Sequence, residues 1–82
     1  MFYTYLLQSE KDGKFYIGYS SDLRKRFKNH CEGKVKSTKN RRPLKLIYYE
    51  SYSTKNLAQE REQKLKEFGS AYTALLKRLK YK

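Results

Sequence analysis

A turn signal set between two tyrosine-rich runs does most to restrict the fold of this chain. Phe2–Ser9 and Phe15–Ser20 are rich in Tyr, Thr, Ile and Leu, and Asp12-Gly13 lies between them. Aromatic and β-branched residues favour strands, and Asp-Gly favours a tight reversal, so the two runs predict a β-hairpin. Paired residues in such a hairpin have a constant index sum, and a two- or four-residue loop makes that sum odd. Tyr5, Leu7, Tyr16 and Gly18 then share one face. Gly18 has no side chain, so something can approach the sheet closely there. Tyr5 and Tyr16 are therefore candidates for a hydrogen-bonding floor. The plainer reading makes both of them sheet-packing residues, and strand propensity alone favours it.

The rest of the chain punctuates itself. Ser20, Ser21 or Asp22 can cap a helix running to about His30, which Glu32-Gly33 ends. Residues 34–43 read as a basic loop. Leu44–Tyr52 reads as a third strand entered through Pro43. Ser53 or Thr54 caps a second helix running to about Phe68, with Gly69 closing it. Ser70 opens a third helix whose apolar stripe is Ala71, Leu75, Leu76 and Leu79. The order is β-β-α-β-α-α. It predicts an α+β fold in which a small antiparallel or mixed three-stranded sheet is flanked by about three helices. At 82 residues, one domain over 1–82 is expected.

Charge narrows the partners. Twenty Lys and Arg face eight Asp and Glu, a net charge of +12. Such a field draws polyanions and exceeds what solubility needs. Nucleic acid is the expected partner, and DNA the leading form of it. A membrane is not expected, because no run is long and apolar enough to span one and no broad amphipathic face appears. The N-terminus shows no leader pattern, so a cytoplasmic location is expected. Cys31 is the only cysteine, which excludes a disulfide framework and a thiolate zinc site.

Helical spacing singles out further residues. Leu23 and Phe27 define the buried face of the first helix, and Arg26 and His30 stack along its edge. Arg26 can hold a phosphate in two-pronged fashion, and His30 can donate a hydrogen bond or relay a proton. The plain alternatives are a snorkelling arginine and a satisfied imidazole. Cys31 and His30 are adjacent, so they do not face each other. On the second helix, Ala58, Leu65, Leu57 and Phe68 mark the apolar side, and Glu62 lies at its edge. One such carboxylate suffices for Mg²⁺, which takes its remaining ligands from water and phosphate. The competing role is a surface ion pair with Lys55 or Lys66. Arg61 sits nearer the middle of the apolar side and is expected to pair with Glu50 or to stack on a Tyr. In the loop, Lys34, Lys36, Lys39, Arg41 and Arg42 carry five positive charges with no acid among them. They are expected to grip a nucleic-acid backbone, since few aromatics are interleaved for base stacking. No Gly-rich phosphate loop, HExxH, GxSxG or Cys/His cluster is present, which removes nucleotide hydrolases, zinc enzymes and serine hydrolases.

Taken in order, these pieces resemble the GIY-YIG nucleases. Tyr3-Thr4-Tyr5 and Tyr16-Ile17-Gly18 resemble the two halves of the signature, and the stretch through Tyr19-Ser20-Ser21-Asp22-Leu23-Arg24-Lys25-Arg26 resembles the strand-to-helix passage. Asn40-Arg41-Arg42-Pro43-Leu44-Lys45-Leu46-Ile47-Tyr48 and Ala58-Gln59-Glu60-Arg61-Glu62-Gln63-Lys64-Leu65-Lys66 are similar to segments of the small stand-alone bacterial members. The N-terminal domain of the excision-repair incision enzyme is a further relative. The resemblance implies that Tyr5 and Tyr16 are the signature tyrosines, Arg26 the essential arginine, Glu62 the metal-binding carboxylate and His30 a site position. It implies one Mg²⁺ or Mn²⁺ ion and phosphodiester hydrolysis in DNA, in repair or recombination. A phenol ordinarily titrates near pH 10, so a tyrosine base needs a nearby cation. Two features depart from the pattern: the first half lacks an initial Gly, and Tyr19 stands where the repair enzyme carries Lys. A nucleic-acid-binding module without catalysis is the alternative expectation, and a basic interaction protein within a larger assembly is a third.

Overall fold

The structure is a computed structural model that describes residues 1–81; Lys82, the last residue of the expected 1–82 domain, lies outside the described residues. The elements follow the expected order: β1 (Phe2–Ser9), β2 (Phe15–Ser20), α1 (Leu23–Cys31), a short 3₁₀ turn (Lys39–Arg41), β3 (Leu44–Tyr52), α2 (Lys55–Lys66) and α3 (Ser70–Arg78). The sheet is wholly antiparallel, with strand order β2-β1-β3. Its central strand pairs Tyr5 with Gly18 and Leu7 with Tyr16, the odd-sum register of a four-residue loop. Gly13 closes that loop at a φ of +76°, a conformation glycine adopts without strain.

The two faces of β1 feed two apolar clusters. Leu6 joins Ile17, Leu65, Leu75 and Leu76 under α2 and α3. Tyr5, Leu7 and Leu44 pack with Tyr16, Leu23, Phe27 and Leu46 on the α1 side. β3 serves both clusters because the register shifts between Leu6 and Leu7, which pair with Tyr48 and Leu46 and leave Ile47 as the extra residue of a bulge. Simple alternation along Leu44–Tyr52 does not foresee this. Asp22 caps α1 by accepting from Lys25 N, and Thr54 caps α2 by accepting from Leu57 N.

Three expectations are corrected. α2 ends at Lys66, and Phe68, not Gly69, takes the left-handed conformation after it, at φ 55°. Leu57 and Phe68 are exposed, so Ala58 and Leu65 alone anchor the helix in the core. The 34–43 run is also no open loop. Val35 and Thr38 are buried, and Ser9 Oγ donates to the Arg41 carbonyl over 2.6 Å.

Candidate active site

The hairpin and α1 build the centre together. Tyr5 is 1% exposed and lies directly over Gly18. A β-carbon added at Gly18 would collide with the Tyr5 ring, coming within 2.8 Å of Cε2. The space left by this glycine is therefore taken by the phenol opposite it, not by an incoming molecule. That close approach fixes where the Tyr5 hydroxyl ends.

The hydroxyl stands in a chain of polar contacts. Arg26 Nε donates to it over 3.4 Å, and it lies 2.9 Å from His30 Nε2. His30 Nδ1 is 2.7 Å from Thr38 Oγ1. A guanidinium only donates, so the tyrosine oxygen accepts from Arg26 and sends its single proton to His30. His30 is then the neutral tautomer with hydrogen on Nδ1, donating to Thr38. The electrostatics agree. Burial, with the Arg26 charge beside it, pulls the His30 pKa from 6.5 down to about 4. Burial pushes the Tyr5 phenol above its ordinary value, and the nearby Tyr16 and Glu62 add to this, against the hydrogen bond from Arg26. Tyr5 thus keeps its proton at neutral pH. Its hydrogen bond to Tyr5 holds Arg26 firmly cationic.

Tyr16 is half-buried. Its ring meets the His30 imidazole edge-on at 5.2 Å between centroids, and its hydroxyl neighbours Arg26. His30 itself is fully buried behind both phenols, so it orients the tyrosines and does not line open surface. Thr38, which sequence reasoning passed over, completes the chain. The signal for it was slight: Val35 and Thr38 are three apart within a run of cations, a turn's spacing.

Glu62 reaches the centre from α2. Its charge acts on the Tyr5 phenol, which puts the carboxylate on the hairpin's side of the molecule. Its Oε2 accepts from Lys66 Nζ at 3.0 Å, the expected competing ion pair. Such an i,i+4 pair contributes only about 0.3–0.5 kcal/mol, so a stronger cation displaces it readily. Among the described residues, no group of three or more His, Cys, Asp or Glu gathers into a ready cage. One carboxylate beside phenol oxygens and solvent nevertheless suits a hard divalent ion that keeps most of its water. α2 is held in place by a separate clasp on the other face. Arg61 forks onto Glu50 at 3.0, 3.2 and 3.0 Å, and the Tyr48 and Tyr52 hydroxyls both donate to the same carboxylate. Burial alone would raise the Glu50 pKa, but these donors win and lower it.

The five cations of the 34–42 stretch are not equivalent. Lys36 and Lys39 are exposed. Lys34 pairs with Glu32 at 3.0 Å. Arg41 turns back to the hairpin, donating to the Phe15 carbonyl at 3.3 Å, with Asp12 at 4.0 Å from its Nε. Arg42 donates to the Lys39 carbonyl at 3.0 Å and lies over Gly33. Beside the tyrosine centre, a surface cleft of about 300 Å³ opens between Tyr3, Tyr49 and the Ser21–Arg24 turn.

Comparison with known proteins agrees with this geometry. The UPF0213 protein of Staphylococcus saprophyticus is 43% identical over 67 residues, 80% of each chain. UPF0213 protein YazA of Bacillus subtilis is 50% identical over 58 residues, 70% of this chain and 59% of YazA. The solution structure of a UPF0213 protein from Bacillus halodurans superposes with a TM-score of 0.59 at 33% identity, over 98% of this chain and 86% of that one. A family model described as the GIY-YIG catalytic domain matches residues 1–79, nearly every residue discussed above. With the paired tyrosines of its hairpin set against an arginine from the following helix, this chain belongs to the GIY-YIG family.

Proposed function

We propose that the protein is a metal-dependent endonuclease that hydrolyses a phosphodiester bond in DNA, in a repair or recombination setting. One observation carries the reading: Arg26, the two phenols and buried His30 form a continuous polar chain, and the Glu62 charge is felt at its Tyr5 end. Tyr16 is the more accessible phenol and orients the attacking water. Tyr5 holds its proton and positions Arg26. The remaining guanidinium donors of Arg26 stabilise negative charge building on the phosphate oxygens. His30, uncharged and donating to Thr38, fixes the Tyr5 hydroxyl and is a positioning residue. Glu62 is the group that would hold Mg²⁺ or Mn²⁺, sharing it with water and substrate oxygens. When bound, the ion supplies Lewis-acid charge at the phosphate.

The test is plasmid nicking by purified protein in Mg²⁺ or Mn²⁺. Arg26→Ala is expected to lower the rate about 100–1,000-fold, as loss of a charge-stabilising donor does. Glu62→Gln is expected to remove the metal dependence with the circular dichroism spectrum intact. Equal cutting by the wild type and both variants would mark a contaminant and end the proposal. Salt-sensitive binding with no cutting of any substrate would leave a binding module instead.

A further inference from the structure

The cleft beside the tyrosine centre has a composition that the hydrolytic reading does not use. Tyr3 lies two residues before Tyr5 on β1, and Tyr49 is the direct cross-strand partner of Tyr5. All three therefore project from the α1 face of the sheet. The Tyr3 and Tyr49 rings meet edge-on, 6.1 Å between centroids, and Tyr49 remains 54% exposed. Arg24 lines the opposite wall with Ser21, Asp22 and Leu23. Asp22 Oδ1 is committed to capping α1 through Lys25 N. A large tyrosine left this open in a 300 Å³ cleft is neither core nor ordinary surface.

From this juxtaposition we infer that the Tyr3–Tyr49 cleft receives an unpaired nucleobase of the substrate strand, stacked on Tyr49, with Arg24 on the flanking phosphate. Resting on the nucleic-acid reading above, the inference adds a substrate class: strands that are single or locally opened next to the cut. The chemistry matches. Base stacking on aromatic rings tolerates any sequence, and a cation beside the ring tracks the backbone. The Ser21 hydroxyl and the Asp22 carboxylate supply polar groups for base edges. A paired base inside a duplex has no face free to enter. The spacing matches too. Two strand residues separate Tyr3 from Tyr5, about 7 Å, or about two nucleotides of a stacked strand.

The experiment uses the full chain carrying Glu62→Gln, so that no strand is cut. Its probes are a single-stranded oligonucleotide bearing one 2-aminopurine and the same oligonucleotide annealed into a duplex. Stacking on Tyr49 is expected to quench the single-stranded probe. Adding Tyr49→Leu is expected to abolish the quenching and lower the ratio of single-strand to duplex affinity about ten-fold, whereas Tyr49→Phe keeps both. Tyr49 is exposed, so these variants fold; Tyr3→Leu is the second variant and follows the same direction. Unchanged quenching in Tyr49→Leu, or equal weakening for both probes, overturns the inference. A wild-type protein that shows the quenching but never cuts DNA overturns the nuclease reading alone.

Discussion

At the scale of single residues, the parity of a hairpin was readable in the sequence and its depth was not. Strand side chains alternate rigidly, so the four-residue loop sufficed to put Tyr5 and Tyr16 on one face. Nothing local says that Tyr5 is sealed from water or that His30 vanishes behind it. That depends on Thr38, whose segment folds back because Val35 and Thr38 are buried while the cations between them are not. The burial of His30 has a pH signature. As pH falls through 6.5, an unfolded chain takes up a proton at His30, whereas the folded chain resists until about 4. The unfolded state binds more protons in that window, so this contribution is complete above 6.5 and is lost as pH falls toward 4. Between neutral pH and the middle of that window the loss is expected to be on the order of 2 kcal/mol. Urea midpoints at pH 7 and pH 5 check it: the drop should be clear in the wild type and much smaller in His30→Gln. Parallel drops would place the proton uptake elsewhere. Asp12, Glu32 and Glu50 have lowered pKa values, so their own losses fall at lower pH.

At the scale of elements, helix starts were easier to read than helix ends. Asp22 and Thr54 declare themselves because their side chains complete the first turn. The end of α2 misleads because a glycine stands beside the reversal, and the strain falls on Phe68 instead. α2 itself has a thin apolar stripe, Ala58 and Leu65, and so depends on polar fastening. Its clasp is the Glu50–Arg61 fork with two tyrosine hydroxyls, to which Thr4 Oγ1 adds a 2.6 Å hydrogen bond to the Ala58 carbonyl. Glu50→Ala strands the Arg61 charge half-buried. It is expected to cost about 2 kcal/mol in urea unfolding. It should also weaken Glu62-dependent cutting, since Glu62 follows Arg61 directly. Full stability in Glu50→Ala would mean that the apolar stripe alone holds the helix.

For the molecule as a whole, the net charge of +12 foretold a polyanionic partner, but not which cations are free to meet it. Arg41 and Arg42 are spent on carbonyls of the fold, and Lys34 answers Glu32. Lys36 and Lys39 remain in solvent. The double variant Lys36→Ala, Lys39→Ala is therefore expected to reduce the slope of log affinity against log salt by about two, read by fluorescence anisotropy on duplex DNA. Arg42→Ala should leave that slope nearly unchanged and lower stability. Equal slopes in the wild type and the double variant would move the contact surface to other cations. The slip at Ile47 bears on the whole architecture as well. It is a seam at which inside and outside are re-indexed, so the half of β3 before it feeds one helix layer and the half after it fastens the other. A residue gained or lost at the seam only tightens or loosens a kink, whereas the same change elsewhere in the strand would turn Lys45 or Glu50 toward the wrong layer.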